Sequence, residues 1–210
     1  MINNFAWNYS KALLIGASGS GKTTLFMQKY LSTTKRKLII DTNLEVSILC
    51  NLPYTRKLSE WSFEKPCYYP KEYTVNHLDQ AIRYARRNSN FLFFIDDVDS
   101  FSGGEYYNGK ELNTLMINGR HQNIGVFVAN KRIVNIPRLL VQNSRYIHLW
   151  NVDVKDYKTL EQWNFDLNYP SEKLRDLTNL STHTFALFKP KDESNPNAVN
   201  PKIFDDFYEL

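Results

Sequence analysis

The residues best suited to chemistry stand at positions 16–24, where Gly16, Gly21, Lys22 and Thr23 match the spacing G-x-x-x-x-G-K-[ST]. Glycines let such a loop curl so that successive backbone N–H groups point at one anion, and a following helix adds its positive N-terminal end. The spacing therefore predicts a nucleotide-binding phosphate loop. Its residues are Gly16, Ala17, Ser18, Gly19, Ser20, Gly21, Lys22, Thr23 and Thr24.

The segments beside this loop are those the motif requires. Ala12 to Ile15 is a short apolar run typical of a buried strand, and residues 23–31 read as a helix that begins at the loop. In such loops the lysine reaches the β- and γ-phosphates and the hydroxyl residue holds Mg²⁺. We therefore expect ATP and Mg²⁺ as ligands, with Lys22 in a catalytic role and Thr23 at the metal.

A second chemical cluster follows the apolar run Phe91 to Ile95, which ends in Asp96 and Asp97. A buried strand that ends in carboxylates supplies the metal side of a phosphate-loop enzyme. Asp96 is expected to hold the Mg²⁺ shell through water, and Asp97 to polarise the attacking water. Alone, this pattern also fits two turn residues at a strand end, but after a phosphate loop it indicates a site.

Composition allows one α/β domain with a sizeable core, since the chain has 210 residues, 42% of them hydrophobic. A formal charge of +4 permits nucleic-acid contact without requiring it. Cys50 and Cys67 match no metal spacing and fit a reducing compartment. The sequence shows neither a signal peptide nor a membrane-spanning run, so we expect a cytoplasmic location.

The remaining elements alternate in the manner of an α/β protein. Residues 38–41 read as a second buried strand beside the first, which brings Asp41, Thr42 and Asn43 to the nucleotide edge, unless Asp41 or Asn43 caps a helix. Further helices are predicted at 44–52, 75–87, 111–116, 136–141, 155–163 and 171–180, and further strands at 124–129, 146–150 and 184–188.

The domain organisation follows from composition along the chain. We predict one domain over residues 1–188, with 1–10 as a lead-in arm, and a linker and tail over 189–210. Residues 189–202 are rich in Pro, Asn, Lys and Asp, which is typical of a flexible linker. The acidic, aromatic tail 203–210 either packs on its own domain, the preferred alternative, or docks on a partner.

The order of motifs over residues 11–188 resembles the FtsK–HerA superfamily of DNA-translocating ATPases. In size and layout the chain is most similar to the small genome-packaging ATPases of tailless double-jelly-roll viruses. The resemblance is carried by the phosphate loop, the strand before Asp96, the turn Gly119-Arg120-His121, the strand that ends in Ala129-Asn130-Lys131-Arg132, Ile136-Pro137, the strand 146–150, and Asp153 with the helix that follows.

This resemblance implies a three-layer α/β fold of the P-loop NTPase (RecA/FtsK–HerA-like) type, with a mostly parallel central sheet flanked by helices. It also implies a homohexameric ring that moves double-stranded DNA without reading its sequence, docks on a capsid or vertex protein, and acts in the host cytoplasm or at the packaging vertex. Arg120 matches an arginine that reaches the neighbouring subunit's phosphates; it also suits a cation at a helix C-terminus.

Two departures from the family pattern affect the catalytic residues. Asp97 stands where the family usually has glutamate, so its shorter side chain requires an extra water or help from Asp99. Asn130-Lys131-Arg132 replaces Thr-Gln-Arg, and we select Asn130 as the γ-phosphate sensor because Lys131 can act only as a donor.

The candidate DNA contacts are Tyr106, Tyr107 and Lys110, in a segment that also fits an ordinary surface loop. Alternative functions stay open: an AAA+-like remodelling ring in which Asn130, Arg132 and Arg145 act as sensor and finger, a HerA-type cellular translocase, a filamentous-phage assembly ATPase, or a nucleotide-gated binding module.

Overall fold

The computed structural model describes residues 11–31, 33, 35–194 and 202–210. In this part of the chain one sheet of nine strands is covered by helices. The strands are β1 (Lys11–Ile15), β2 (Arg36–Ile40), β3 (Tyr54–Thr55), β4 (Cys67–Tyr68), β5 (Phe91–Ile95), β6 (Ile124–Asn130), β7 (Tyr146–Trp150), β8 (Thr184–Pro190) and β9 (Lys202–Glu209). The α-helices are α1 (Lys22–Leu31), α2 (Glu45–Leu49), α3 (Val75–Ala85), α4 (Asp99–Ser102), α5 (Lys110–Asn118), α6 (Arg138–Asn143) and α7 (Tyr157–Leu167).

The described strands lie in the order β3-β4-β2-β5-β6-β1-β7-β8-β9. Neighbours from β3 to β7 are parallel, whereas β8 and β9 are antiparallel additions at one edge. The prediction that β2 runs beside β1 was wrong, since β5 and β6 lie between them. Strand order depends on where each crossover returns to the sheet, and the apolar pattern of a strand does not encode its neighbours.

The core lies on both faces of the sheet. In β1, Leu13 and Ile15 pack in one apolar cluster, while Ala12 and Leu14 pack in the other. Helices α1 and α2 contribute to the second cluster, where the rings of Phe26 and Phe94 stack with centroids 3.8 Å apart. Helices α3, α5, α6 and α7 cover the opposite face. The predicted three-layer α/β fold with a mostly parallel sheet is therefore confirmed.

The register of the parallel strands brings their carboxyl ends to one edge. Ile15 of β1 pairs with Asn130 of β6, and Ile95 of β5 pairs with Val128 of β6 and Ile40 of β2. The segments that follow these strands therefore start close together. This edge is where open α/β sheets bind ligands.

The C-terminal segment joins the sheet. Lys202–Glu209 pairs antiparallel with β8, so the tail packs on its own domain. Lys189 and Asp205 form an ion pair of 2.6 Å across the two strands. The predicted linker 189–202 starts later than expected, because β8 extends through Pro190. Most of the rest of the linker, residues 195–201, and the predicted arm 1–10 lie outside the described residues. None of the described helices is both long and apolar enough to cross a bilayer.

Candidate active site

The phosphate loop connects β1 to α1 and its glycines are required by geometry. Gly21 has φ +105°, a backbone conformation that residues other than glycine rarely adopt. A Cβ at Gly16 would lie 2.6 Å from the Cβ of Trp150, so only glycine permits this approach. The Nζ of Lys22 donates to the carbonyls of Gly16 (2.6 Å) and Ala17 (2.9 Å), which holds the ammonium group at the loop.

An open cleft lies over this loop. The predicted nucleotide-binding residues from Ser18 to Thr24 line it, whereas Gly16 and Ala17 line a second cavity on the other side of the loop. The remaining lining residues come from four other segments of the chain: Asn43, Glu45, Asp96, Asp97, Lys131 and His183. The cleft therefore unites the phosphate loop with the acids that follow β5.

Asp96 lies at the carboxyl end of β5 with 4% of its surface exposed. Its Oδ2 accepts a hydrogen bond from the hydroxyl of Thr42 at 3.0 Å. Burial raises the pKa of Asp96 to about 7; the Thr42 hydrogen bond opposes this rise and the charge of Asp97 adds to it. A buried carboxylate with this environment is stabilised by a nearby cation.

Asp97 is held in a strained conformation, with φ +51°. Its Oδ2 accepts hydrogen bonds from Lys131 Nζ at 2.6 Å and from Ser100 Oγ at 2.5 Å. Its Oδ1 is buried without a hydrogen-bond partner among the described residues. A buried acceptor without a hydrogen-bond partner costs free energy that the rest of the fold must offset.

Asn130 does not face the cleft, which contradicts its selection as the γ-phosphate sensor. Its Oδ1 accepts from the N–H of Asp99, and its Nδ2 donates to Asp99 Oδ1 (3.0 Å) and to the carbonyl of Arg132 (2.8 Å). The amide is thus engaged within the fold and 1% exposed. Lys131, the next residue, is the one that lines the cleft.

Asp99 is also excluded as an alternative base. Besides Asn130, it accepts hydrogen bonds from the backbone N–H groups of Lys131 and Arg132, both at 3.2 Å. With 7% of its surface exposed, it does not line the cleft. The side chain of Asp99 fixes the loop after β6, and Asp97 remains the candidate base.

Arg120 lies at the other end of the parallel strands, near their amino ends. It is exposed in the turn Gly119–Gln122, which precedes β6, whereas the phosphate loop follows β1 at the other end of the parallel strands. In agreement with this position, the positive charge of Arg120 helps to lower the pKa of Lys11, the first residue of β1. Arg120 therefore does not contact the phosphate site of its own subunit.

The three candidate DNA contacts divide into two groups. Tyr106 is 57% exposed and Lys110 is exposed at the start of α5. Tyr107 is fully buried, and its hydroxyl donates to Asp79 Oδ1 at 3.0 Å, so its prediction as a DNA contact was wrong. An apolar ring with a polar tip fits both a surface and a core position, and the sequence did not distinguish them.

Three cleft residues escaped the sequence analysis: Glu45, Lys131 as a site residue, and His183. The Thr23 hydroxyl donates to Glu45 Oε2 at 3.2 Å, although Glu45 begins α2, more than twenty positions away. His183 lies beside the phosphate loop, with Nδ1 3.4 Å from the carbonyl of Ser20. The sequence does contain a signal for Glu45, because it is an acid shortly after the second strand. It contains no signal for His183.

The donors in the cleft fit Mg²⁺ bound together with a nucleotide. The Thr23 hydroxyl and the Asp96 carboxylate are hard oxygen ligands, the type that Mg²⁺ selects. Among the described residues no group of three or more His, Cys, Asp or Glu side chains is arranged to hold a metal.

A three-layer fold in which a phosphate loop faces two acids at one sheet edge is the architecture of the P-loop NTPase class. No protein-family model matches the chain, and no curated protein matches it. Solved structures do. The genome packaging NTPase B204 from Sulfolobus turreted icosahedral virus 2 with ATP-gammaS has a TM-score of 0.72 and 15% identity, covering 97% of this chain and 98% of that one.

Two further structures show the same similarity. The AMPPCP complex of B204 gives a TM-score of 0.71 at 16% identity, covering 96% of this chain and 98% of that one. VirB4 of Thermoanaerobacter pseudethanolicus gives 0.58 at 9% identity, covering 95% and 89%. These similarities show that the chain shares the fold of B204 and VirB4.

Proposed function

We propose that this chain hydrolyses ATP to ADP and phosphate and uses the energy to move double-stranded DNA during packaging of a viral genome. The observation that carries the proposal is the strand register that joins the phosphate loop to Asp96 and Asp97 in one cleft. The fold shared with the packaging NTPase B204 supports the DNA-moving part of the proposal.

Binding of the triphosphate begins with the backbone. The N–H groups of the phosphate loop and the N-terminus of α1 cradle the phosphates. Lys22 exchanges the carbonyls of Gly16 and Ala17 for the β- and γ-phosphate oxygens. Burial lowers the pKa of Lys22, while the nearby charges of Asp96 and Asp97 raise it.

Thr23 and Asp96 are the residues that would hold Mg²⁺ at the cleft. A bound Mg²⁺ neutralises charge that develops on the transferred phosphoryl group. Asp96 is held in place for this task by the hydroxyl of Thr42. Buried in this way, the carboxylate needs no large side-chain rearrangement when the nucleotide arrives.

Asp97 orients the attacking water and accepts its proton. As the water oxygen bonds to the γ-phosphorus, the bond from that phosphorus to the bridging oxygen breaks and ADP leaves with the electron pair. Lys131, held by Asp97 at 2.6 Å, replaces Asn130 as the group beside the γ-phosphate. Its ammonium donates to the phosphate, since a lysine can act only as a donor.

Arg120 acts on the neighbouring subunit. An arginine supplied in trans stabilises the transition state and couples hydrolysis to contact between subunits. A head-to-tail contact between the Arg120 edge of one copy and the cleft of the next generates a closed ring, here a hexamer. Tyr106 and Lys110 then contact the DNA phosphates, and a capsid or vertex protein anchors the ring.

The AAA+-like alternative is less well supported. Its finger candidates are engaged within the fold: Arg132 pairs with Asp156, and Arg145 is buried and donates to the carbonyl of Glu193 at 2.8 Å. A nucleotide-gated binding module remains the second candidate because it needs only the cleft. It predicts ATP binding without DNA-stimulated turnover.

The test is steady-state ATPase turnover with and without double-stranded DNA, for the wild type and Lys22→Ala. We expect DNA to raise wild-type turnover and Lys22→Ala to abolish it, because the lysine acts on the phosphates. Retained folding of Lys22→Ala is checked by circular dichroism. Turnover in a folded Lys22→Ala variant would refute the site, and wild-type turnover indifferent to DNA would refute the motor.

A further inference from the structure

Glu45 contacts the residue that is expected to bind the metal. Its Oε2 accepts the hydrogen bond from the Thr23 hydroxyl at 3.2 Å, and both side chains line the cleft. When the Thr23 proton points at Glu45, the lone pairs of the hydroxyl oxygen are available to a cation on the other side. The contact therefore orients Thr23 as a metal ligand.

The position of Glu45 is fixed by buried structure. Asp41, fully buried after β2, accepts from the backbone N–H of Ser47 at 2.8 Å and so anchors the first turn of α2. Leu44, just before Glu45, has φ +57°, a strained conformation for leucine. Such strain persists only where the surrounding structure holds it, and Glu45, the next residue, lines the cleft.

The charges at this end of the cleft are unbalanced. Glu45, Asp96 and Asp97 line it together with two ammonium groups, those of Lys22 and Lys131. Lys131 is already paired with Asp97. Glu45 on α2 and Asp96 after β5 line the same cleft as Thr23, and carboxylate oxygens are ligands that favour a divalent cation.

We propose that Glu45 is a positioning residue for Mg²⁺: from α2 it orients the Thr23 hydroxyl so that the hydroxyl oxygen can bind the metal. This inference rests on the proposed function, since it concerns the metal of the same nucleotide site. Glu45 does not touch the phosphates in this role. It sets how tightly the metal is held once a nucleotide is bound.

The experiment measures metal and nucleotide affinity separately. Mn²⁺ serves as the spectroscopic probe, titrated by electron paramagnetic resonance into protein saturated with AMPPCP. We expect Glu45→Gln to weaken Mn²⁺ binding about tenfold, the range seen when partners of metal ligands are removed. Affinity for AMPPCP in excess chelator should stay within about twofold, because no phosphate contact is lost.

Turnover supplies a second readout. Glu45→Gln should need about tenfold more Mg²⁺ for half-maximal rate, and saturating Mg²⁺ should restore most of kcat. Ile48→Gln is the matched control: Ile48 is on the same helix, 72% exposed, and its replacement should leave both affinities unchanged.

Three results would overturn the inference. Unchanged Mn²⁺ affinity with lost turnover would assign Glu45 to the attacking water instead. An equal loss of metal-dependent and metal-free AMPPCP binding would mean that Glu45 maintains the shape of the cleft. No AMPPCP binding by the wild type would refute the nucleotide site itself, and with it this inference.

Discussion

Asn130 and Lys131 are neighbours in sequence with different tasks. The amide of Asn130 connects β6 to Asp99 and Arg132 through three hydrogen bonds. The ammonium group of Lys131 reaches past this network into the cleft, where it meets Asp97. Substitutions at the two positions should therefore affect different properties: folding stability at Asn130 and nucleotide recognition at Lys131.

Lys131→Met should weaken ATP binding about tenfold while ADP binding changes little. The reason is that a charge-assisted hydrogen bond to the γ-phosphate is worth about 1.5–3 kcal/mol and is absent with ADP. Isothermal titration calorimetry with AMPPCP and ADP checks this. An equal loss for both ligands would place Lys131 away from the γ-phosphate.

Asn130→Ala should lower the free energy of unfolding by about 2 kcal/mol or more, because it leaves buried partners without hydrogen bonds. Urea unfolding followed by fluorescence measures the change. Asn179→Ala, which removes one exposed hydrogen bond to the carbonyl of Arg175, is the control and should change stability by less than about 0.5 kcal/mol. Similar losses for both variants would contradict the role given to Asn130.

At the scale of elements, the segment between α4 and α5 is mostly exposed but contributes Tyr107 to the core. Tyr106 is exposed, while Tyr107 inserts between α3 and α5 with its hydroxyl on Asp79 of α3. Asp79 also accepts from the N–H groups of Lys110 and Glu111, so it anchors the start of α5. Neighbouring tyrosines thus serve different functions.

Tyr106→Ala should weaken binding of double-stranded DNA several-fold without changing the melting temperature, because it removes an exposed contact. Tyr107→Phe should do the reverse: it loses a hydrogen bond to a carboxylate, about 1–2 kcal/mol of stability, and leaves DNA affinity unchanged. Fluorescence anisotropy with labelled DNA and differential scanning calorimetry separate the two effects. Weaker DNA binding by Tyr107→Phe would contradict the assignment.

Strand β9 begins with Lys202, a lysine with no exposed surface. Its Nζ donates to the carbonyl of Gln142 at 3.4 Å, and burial lowers its pKa from 10.5 to about 8, partly opposed by Asp166. Between these values the unfolded chain binds more protons than the folded chain. The contribution of Lys202 to stability therefore rises with pH from about 8 to 10.5.

Lys202→Met removes this titration. The free energy of unfolding of the wild type should rise by up to about 3 kcal/mol relative to that of the variant between pH 7 and pH 10.5. Urea unfolding of both proteins at a series of pH values measures the difference, in which the titration of other groups cancels. A difference that does not change with pH would show that the ammonium is solvated.

How much of these elements the sequence predicts depends on their burial. β5 was predicted to the residue because all five of its side chains are buried, which makes its pattern fully apolar. β3 and β4 have two residues each, too few for any periodicity. β9 has mostly half-exposed or exposed side chains, and its pairing depends on β8 rather than on its own composition.

The site follows the same logic. The phosphate loop and Asp96 were predictable because their chemistry depends on local spacing and a strand end. Glu45 and His183 reach the cleft through tertiary structure, from α2 and from the turn before β8. Of the neighbours Asn130 and Lys131, only Lys131 lines the cleft. The sequence does not show which of two adjacent side chains points toward a site.

At the scale of the whole molecule, Arg120 and the phosphate loop lie at opposite edges of one sheet. In the proposed ring, one subunit supplies the nucleotide cleft and the next supplies the arginine. Arg120→Ala should bind ATP normally and turn over at least about tenfold more slowly, as expected for a group that acts in the transition state. His121→Ala, in the same exposed turn, is the control for local disruption.

Mixing Lys22→Ala with Arg120→Ala should raise turnover above that of either variant alone. In rings formed from equal amounts of Lys22→Ala and Arg120→Ala subunits, about a quarter of the head-to-tail interfaces combine an intact lysine with an intact arginine. ATPase turnover of the mixture, compared with each variant alone, measures this complementation. No recovery in mixed rings, verified by mass photometry, would refute the trans arrangement.

The end of β9 has a practical consequence. Leu210 packs so close to the phosphate loop that a Cβ on Gly21 would collide with it, and its backbone N–H donates to the carbonyl of His183. Anything joined after residue 210 therefore emerges at the mouth of the cleft. An affinity tag there obstructs the ligand, whereas a small fluorophore at that point becomes an optical reporter of when the cleft fills and empties.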